Sequence, residues 1–281
     1  MGDELSAWLQ RLKRYRRGRA AVQAWRVFGR EIRSGNDLLL KHLADYPDAI
    51  LVAGCQRSGT TMLARLITGS AGMVNYYFGI DDEHDAALLL AGKVKKPQEG
   101  RYCFQTTYLN ERYAEYLNAS TMFRLIWVVR NPYAVVCSLL YNWERFALNE
   151  LFEACGVERL DEQVMRRYKR FGVHGVSRLE RACYAYAGKT AQALELTASL
   201  PSTRFCVVDY DRIVQSKDDS LSDIYRFIGL PYDGEYAERI HSHSLNKLER
   251  LTAHQRQLIE QLCMPVYERV VSLSECDFRM A

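Results

Sequence analysis

The segment Ala49-Ile50-Leu51-Val52-Ala53-Gly54-Cys55-Gln56-Arg57-Ser58-Gly59-Thr60-Thr61 has the composition of an anion-binding turn. An apolar run ends at Gly54, and Gly59 opens an apolar-periodic stretch containing Met62, Leu63, Leu66 and Ile67. Strand, glycine-containing turn and helix in that order aim backbone N–H groups and a helix N-terminus at a negatively charged ligand. A nucleoside-triphosphate loop reads G-x-x-x-x-G-K-[ST], and its lysine reaches the β- and γ-phosphates. Here Thr60 stands at the lysine position, and the cation comes earlier, at Arg57. The loop keeps a phosphate cradle without the lysine on which ATP and GTP hydrolysis relies. A different phosphate-bearing donor is expected.

A second constellation follows the strand-like run Phe123-Arg124-Leu125-Ile126-Trp127-Val128-Val129. It consists of Arg130-Asn131-Pro132 and Ser138, eight residues beyond the arginine. An arginine at the carboxyl end of a strand stands where open α/β sheets bind ligands. Its guanidinium can grip a phosphate bidentately, and a helical serine can add a hydroxyl. Alone, such an arginine is an ordinary salt-bridge partner and such a serine incidental; their joint spacing favours a site. Together, Arg57-Ser58-Gly59-Thr60-Thr61 and Arg130-x-Pro132 with Ser138 resemble the signatures of sulfotransferases that use 3′-phosphoadenosine 5′-phosphosulfate (PAPS). A weaker third echo is Phe205-Cys206-Val207-Val208-Asp209-Tyr210, followed by the helix-like stretch from Ile224 to Pro231.

The resemblance implies that Arg57, the N–H groups of residues 58–61 and the hydroxyls of Ser58, Thr60 and Thr61 surround the 5′-phosphosulfate, with Gly59 allowing the turn. It implies that Arg130 and Ser138 hold the 3′-phosphate, and that no metal is required. Many relatives close the donor site with a cationic C-terminal loop. The segment His241 to Arg250 can supply one through Lys247 or Arg250, although it lacks the G-x-x-G pattern of cytosolic members. Tyr141, Trp143 and Tyr210 are open alternatives for a wall against the nucleobase.

The acceptor must lose a proton to a general base. Relatives draw a His, or a Glu downstream of the loop, and Asp81-Asp82-Glu83-His84-Asp85 lies in that interval. If Asp81 caps a helix over 81–91, Glu83 shares a stripe with Ala86, Ala87 and Leu90. Burial on such a stripe would raise its pKa towards a useful value. Glu83 is therefore the first candidate base, His84 the second and Asp82 the third. The competing account is that these acids merely favour the positive end of a helix dipole. The K-T-P pattern of many relatives reads Thr106-Thr107-Tyr108 here, so its lysine is missing.

Positioning these residues takes strands at 49–54, 101–106, 122–129 and 203–208, with helices at 59–69, 109–117, 252–271 and throughout most of 144–200. Strands alternating with helices predict a three-layer, P-loop-like α/β fold with a central parallel sheet, a largely helical insertion and a helical C-terminal region. A chain of 281 residues with 48% hydrophobic and 26% charged content fits one domain over 1–281. The insertion 144–200 is the expected acceptor side.

The net charge of +4 is uneven: residues 1–40 hold nine Arg or Lys and four acids, which leaves about −1 for the remainder. The basic N-terminal segment is expected to be a solvated helix packing Leu9, Leu12, Val22, Trp25 and Phe28 on the domain. Contact with an anionic membrane surface is the alternative, and no nucleic-acid partner is expected. No apolar run approaches the ~20 residues that span a bilayer. The eight cysteines form no C-x-x-C pair. Cytoplasmic location, a small-molecule or carbohydrate acceptor and no metal are the resulting expectations. A kinase or NTPase-like switch gains from the Walker-B-like strand ending at Asp209 and loses on Thr60.

Overall fold

Apolar, largely β-branched runs form the sheet because a parallel strand covered on both faces has no polar side to offer. The computed structural model describes residues 20–35, 37–77, 81–95, 98–238, 240 and 248–276. Helix α1 (20–28) runs into a π-turn at Gly29–Arg33. Strand β1 (Ala49–Gly54) leads through the loop to α2 (Thr60–Thr68), then α3 (Asp82–Leu90), β2 (Cys103–Gln105), α4 (Glu115–Asn118), β3 (Phe123–Val129) and α5 (Pro132–Tyr141). The insertion contributes α6 (Arg145–Leu151), α7 (Glu162–Phe171) and α8 (Arg178–Ser199) before β4 (Phe205–Asp209). Helices α9 (Tyr210–Gln215), α10 (Lys217–Ile228), α11 (Glu235–Glu238), α12 (Ala253–Leu262) and α13 (Met264–Cys276) follow.

All strand pairings are parallel, in the order β2-β1-β3-β4, with Ala53 opposite Trp127 and Val128 opposite Val208. Leu51, Trp127 and Val207 face one layer, where Leu89 and Leu90 of α3, Leu196 of α8 and Val270 of α13 cover them. Val52, Ile126 and Val208 face the other, under Leu63 and Ile67 of α2 and Ile224 and Ile228 of α10. The chain crosses to β2 on one side of β1 and to β3 on the other, so a crevice opens at the carboxyl ends of these strands.

Sequence signals set most element ends. Asp81 caps α3 by accepting from the Glu83 and His84 amides, and Asn131 caps α5 ahead of Pro132. Two expectations differ. The helix expected over 109–117 is a 3₁₀ segment at Thr107–Arg112 followed by the short α4, because Asn110 has φ +40° and breaks the helical path. The helix expected over 252–271 is two helices, α12 and α13, separated at Cys263 just before Pro265. Leu9 and Leu12 lie outside the described residues.

Candidate active site

A cavity of about 560 Å³ occupies the crevice. Its walls are the β1–α2 loop, Arg130 and Ser138, the start of α3, the segment after β2, and residues of α1 and α6. Gly59 makes the loop possible. It has φ +104°, and a Cβ there would lie 2.2 Å from the Tyr210 ring. Gly59 occupies the N-cap of α2 and offers no side-chain cap, so the first-turn amides have neither an intrahelical acceptor nor a capping oxygen.

Arg57 adopts φ +74°, a left-handed conformation that is unusual for a residue with a side chain. Its Nε donates to the Ser138 hydroxyl at 3.0 Å. Desolvation, and then the charge of Arg130, lower the Arg57 pKa. Two guanidiniums therefore converge on one side of the cavity. Arg130, at the end of β3, is 4% exposed. Its guanidinium lies over the Tyr210 ring at 4.2 Å and faces Asp211 at 3.8 Å, while its carbonyl accepts from the Tyr186 hydroxyl at 2.8 Å. Asp211 also accepts from the Asn131 amide at 2.9 Å, so one carboxylate positions both Arg130 and the start of α5. Uncapped amides and paired cations at one corner suit a polyanionic ligand.

Thr60 and Thr61 line the cavity, but Ser58 does not: its hydroxyl is buried behind the loop, without a partner among the described residues. Lys247 lies outside the described residues, as do His241 and His243. Of the three aromatic candidates, Trp143 lines the cavity. Tyr210 is buried between Gly59 and Arg130. Tyr141 lies under Arg250, hydrogen-bonded to Gln255.

Glu83 is on the cavity wall. It accepts hydrogen bonds from the Thr107 hydroxyl and from Gln105 Nε2, the latter at 3.2 Å. The same Gln105 nitrogen donates to Thr60 Oγ1 at 3.2 Å, which links the loop to Glu83. Desolvation, reinforced by Asp81, pushes the Glu83 pKa up to about 8. His84 is turned away from the cavity wall; its ring packs edge-on against Trp25 and Phe28, 5.2 and 6.0 Å between centroids. Asp82 lines the cavity but is ion-paired with Arg65. Asp209 caps α9 by accepting from Asp211 N and lies outside this cavity, with its pKa raised by burial to about 6.

Several cavity residues escaped the sequence. Gln105 ends β2, and a polar residue at a strand's carboxyl end was the available signal. Trp25 carried only a packing signal, yet it lines the cavity and donates from Nε1 to Asp81 at 3.2 Å, whereas Phe28 does enter the core. Ala21, Val22, Trp143, Phe146 and Ala147 complete an apolar wall that draws on α1 as well as on the insertion.

The fold and this corner define a class: a P-loop-like α/β protein with two arginines beside the β1–α2 loop and no Walker lysine. The family model described as the sulfotransferase family matches residues 75–234, and the chain belongs to that family. The matched span begins after the Arg57 loop and includes Glu83, Arg130 and Ser138. The protein is a sulfotransferase, and the kinase or NTPase-like alternative is set aside. Among solved structures, the chain is similar to the sulfotransferase domain from the curacin biosynthetic pathway (15% identity, TM-score 0.48, covering 80% of this chain and 96% of that one). It is also similar to a mouse sulfotransferase complexed with PAP (16%, 0.46, 85% and 91%). A third is a sulfotransferase from Alicyclobacillus acidocaldarius (13%, 0.47, 83% and 98%). No curated protein sequence matches the chain.

Proposed function

We propose that this sulfotransferase takes its sulfuryl group from PAPS and delivers it to a hydroxyl or amine on a small molecule with an apolar body. The carrying observation is Glu83. A carboxylate with a raised pKa shares the Gln105 amide with Thr60 of the phosphate loop, so base and donor cradle are fixed relative to one another. Sulfuryl transfer demands an in-line nucleophile and neutralisation of charge on the leaving oxygen. PAPS brings the sulfuryl group and leaves as 3′-phosphoadenosine 5′-phosphate (PAP).

In this reading the α2 amides, Thr60, Thr61 and Arg57 bind the 5′ end, and Arg130 with Ser138 binds the 3′-phosphate. Glu83 accepts the acceptor's proton as the new bond to sulfur forms and the bond to the 5′-phosphate oxygen breaks. Arg57 meets the charge that grows on that oxygen. Ala21, Val22, Trp25, Phe146 and Ala147 favour an apolar acceptor body over a carbohydrate. No helix among the described residues is long and apolar enough to cross a membrane. Among the described residues, seven buried cysteine thiols fit the reducing cytoplasm, where we place the enzyme.

Calorimetry with PAP, followed by a screen of apolar alcohols, phenols, amines and sugars against labelled donor, tests the reading. Tight PAP binding with turnover of apolar acceptors is expected. Equal affinity for AMP would remove the donor assignment, and turnover of sugars alone would remove the acceptor class.

A further inference from the structure

Gln105 ends β2 as the register partner of Val52 in β1, so its backbone is fixed at the carboxyl end of the sheet. The residue is 5% exposed, and it lines the cavity together with Thr60 and Glu83. One amide nitrogen serves two partners: Nε2 donates to Thr60 Oγ1 and to Glu83 Oε2, at 3.2 Å in each case. An amide nitrogen carries two protons, and this geometry spends both. The other Glu83 oxygen accepts from the Thr107 hydroxyl, whose single proton is spent there. Each carboxylate oxygen therefore has its own fixed donor.

These bonds have a direction, and the direction sets what the cavity wall can offer. The reverse amide orientation would set the Gln105 oxygen against the carboxylate, so an ionised Glu83 selects this one. A hydroxyl has one proton and two lone pairs. Thr60 receives a proton from Gln105, and its own proton has no acceptor among the described residues. That proton is left for whatever occupies the loop corner, beside the uncapped amides of α2. An anion there would accept it, completing a chain from anion to Thr60 to Gln105 to Glu83 in which each bond polarises the next.

We propose that Gln105 is a positioning residue for sulfuryl transfer: its buried amide leaves the Thr60 hydroxyl proton for the donor's 5′-phosphosulfate and fixes the Glu83 carboxylate as a proton acceptor beside it. This rests on the reading of the loop as the PAPS site and of Glu83 as the base. The titratable groups that face Glu83 are Asp81 at its own helix start, the buried Lys189 of α8, and Tyr108 and Tyr116 after β2. A substitution at Gln105 leaves all four in place, so a change in Glu83 reports the amide.

The test uses Gln105→Met, which keeps the length and removes the amide, with Thr60→Val and the Thr60→Val/Gln105→Met double variant. The Glu83 carboxyl carbon, assigned by its loss in Glu83→Gln, is titrated by NMR in the protein without ligand. Removing a hydrogen bond to the ionised form should raise the Glu83 midpoint by about one pH unit, and the rising limb of kcat should move with it. Calorimetry then follows PAP. Gln105→Met should weaken PAP binding by about 5- to 20-fold with Thr60 present and by less than about twofold in Thr60→Val, the signature of a coupled pair. A folded Gln105→Met protein with an unmoved Glu83 midpoint, or losses in PAP affinity that multiply in the double variant, overturns the proposal. Wild type that does not bind PAP removes the donor site instead, and a kcat limb that survives in Glu83→Gln removes the base; each takes the corresponding half of the proposal with it. If Gln105→Met does not fold, the Gln105 Nε2 protons decide in wild type. Their shifts should change at the Glu83 midpoint and again on adding PAP, and constant shifts in either titration overturn the proposal.

Discussion

Arg57 donates from Nε to the Ser138 hydroxyl at 3.0 Å, joining the phosphate loop to the middle of the helix that follows Arg130. The two sequence motifs are thus one constellation. Arg57 can serve the 5′ end of the donor while staying in register with the residues assigned to its 3′-phosphate. Replacing Arg57 by alanine should lower kcat more than it raises KM for donor, because charge on the leaving oxygen grows in the transition state. Single-turnover kinetics checks this, and an unchanged chemical rate would assign Arg57 to binding alone.

PAP should bind far more tightly than AMP, ADP or GTP, and without Mg²⁺. Arg130→Ala should lose most of that preference, since a hydrogen bond to a charged group contributes roughly 1.5–3 kcal/mol. Asp211 loses its cation in that variant, so a thermal melt must accompany the calorimetry. Discrimination against AMP that survives in a folded Arg130→Ala protein would move the 3′-phosphate elsewhere.

Glu83→Gln should reduce kcat by roughly 10²–10⁴-fold with donor affinity nearly intact. A base with a pKa of about 8 is half ionised there, so wild-type kcat should rise with pH and level off above that value. The variant should show no such limb. A modest loss with an unchanged profile would make Glu83 a structural residue at the start of α3.

The same carboxyl links stability to pH. Its folded pKa of about 8 stands above the ordinary 4.5, so between these values the folded chain keeps a proton that the unfolded chain has released. Stability then falls as pH rises through this window and levels off above it. Glu83→Gln removes the penalty, so its Tm should exceed wild type by ~2–6 °C at pH 9 and match it near pH 4. Equal Tm differences at both pH values would show that Glu83 is solvated.

Phe146 lines the apolar wall with the Arg26 guanidinium 4.9 Å from its ring centroid. Phe146→Ala should raise KM for an apolar acceptor by about 5- to 50-fold, the effect of losing part of a large apolar contact. KM for the donor should stay within about twofold. A parallel rise in both constants would place Phe146 in the framework of the whole cavity.

The sequence alone determined the turn and the strands that bring Arg57, Gly59, Arg130 and Ser138 to one corner. Gly59, Arg57, Arg130, Ser138 and the caps at Asp81 and Asn131 are local features: turn geometry, strand-to-helix transition and helix capping act over a few residues. The broken 3₁₀ segment after β2 was not legible, because only the φ of Asn110 interrupts an otherwise helical pattern. Nor were the bonds from Gln105 to Thr60 and Glu83, the burial of the Ser58 hydroxyl and the packing of His84 against Trp25. Trp25 and Lys189 show why. An aromatic on a helix has the same periodic signature whether it meets the core or a cavity, and a lysine in a helix reads as solvated. What decided both was which elements pack together: α1 over the start of α3, and α8 beneath β1 and β3. Such contacts join residues far apart in the chain, so only the tertiary structure could set them.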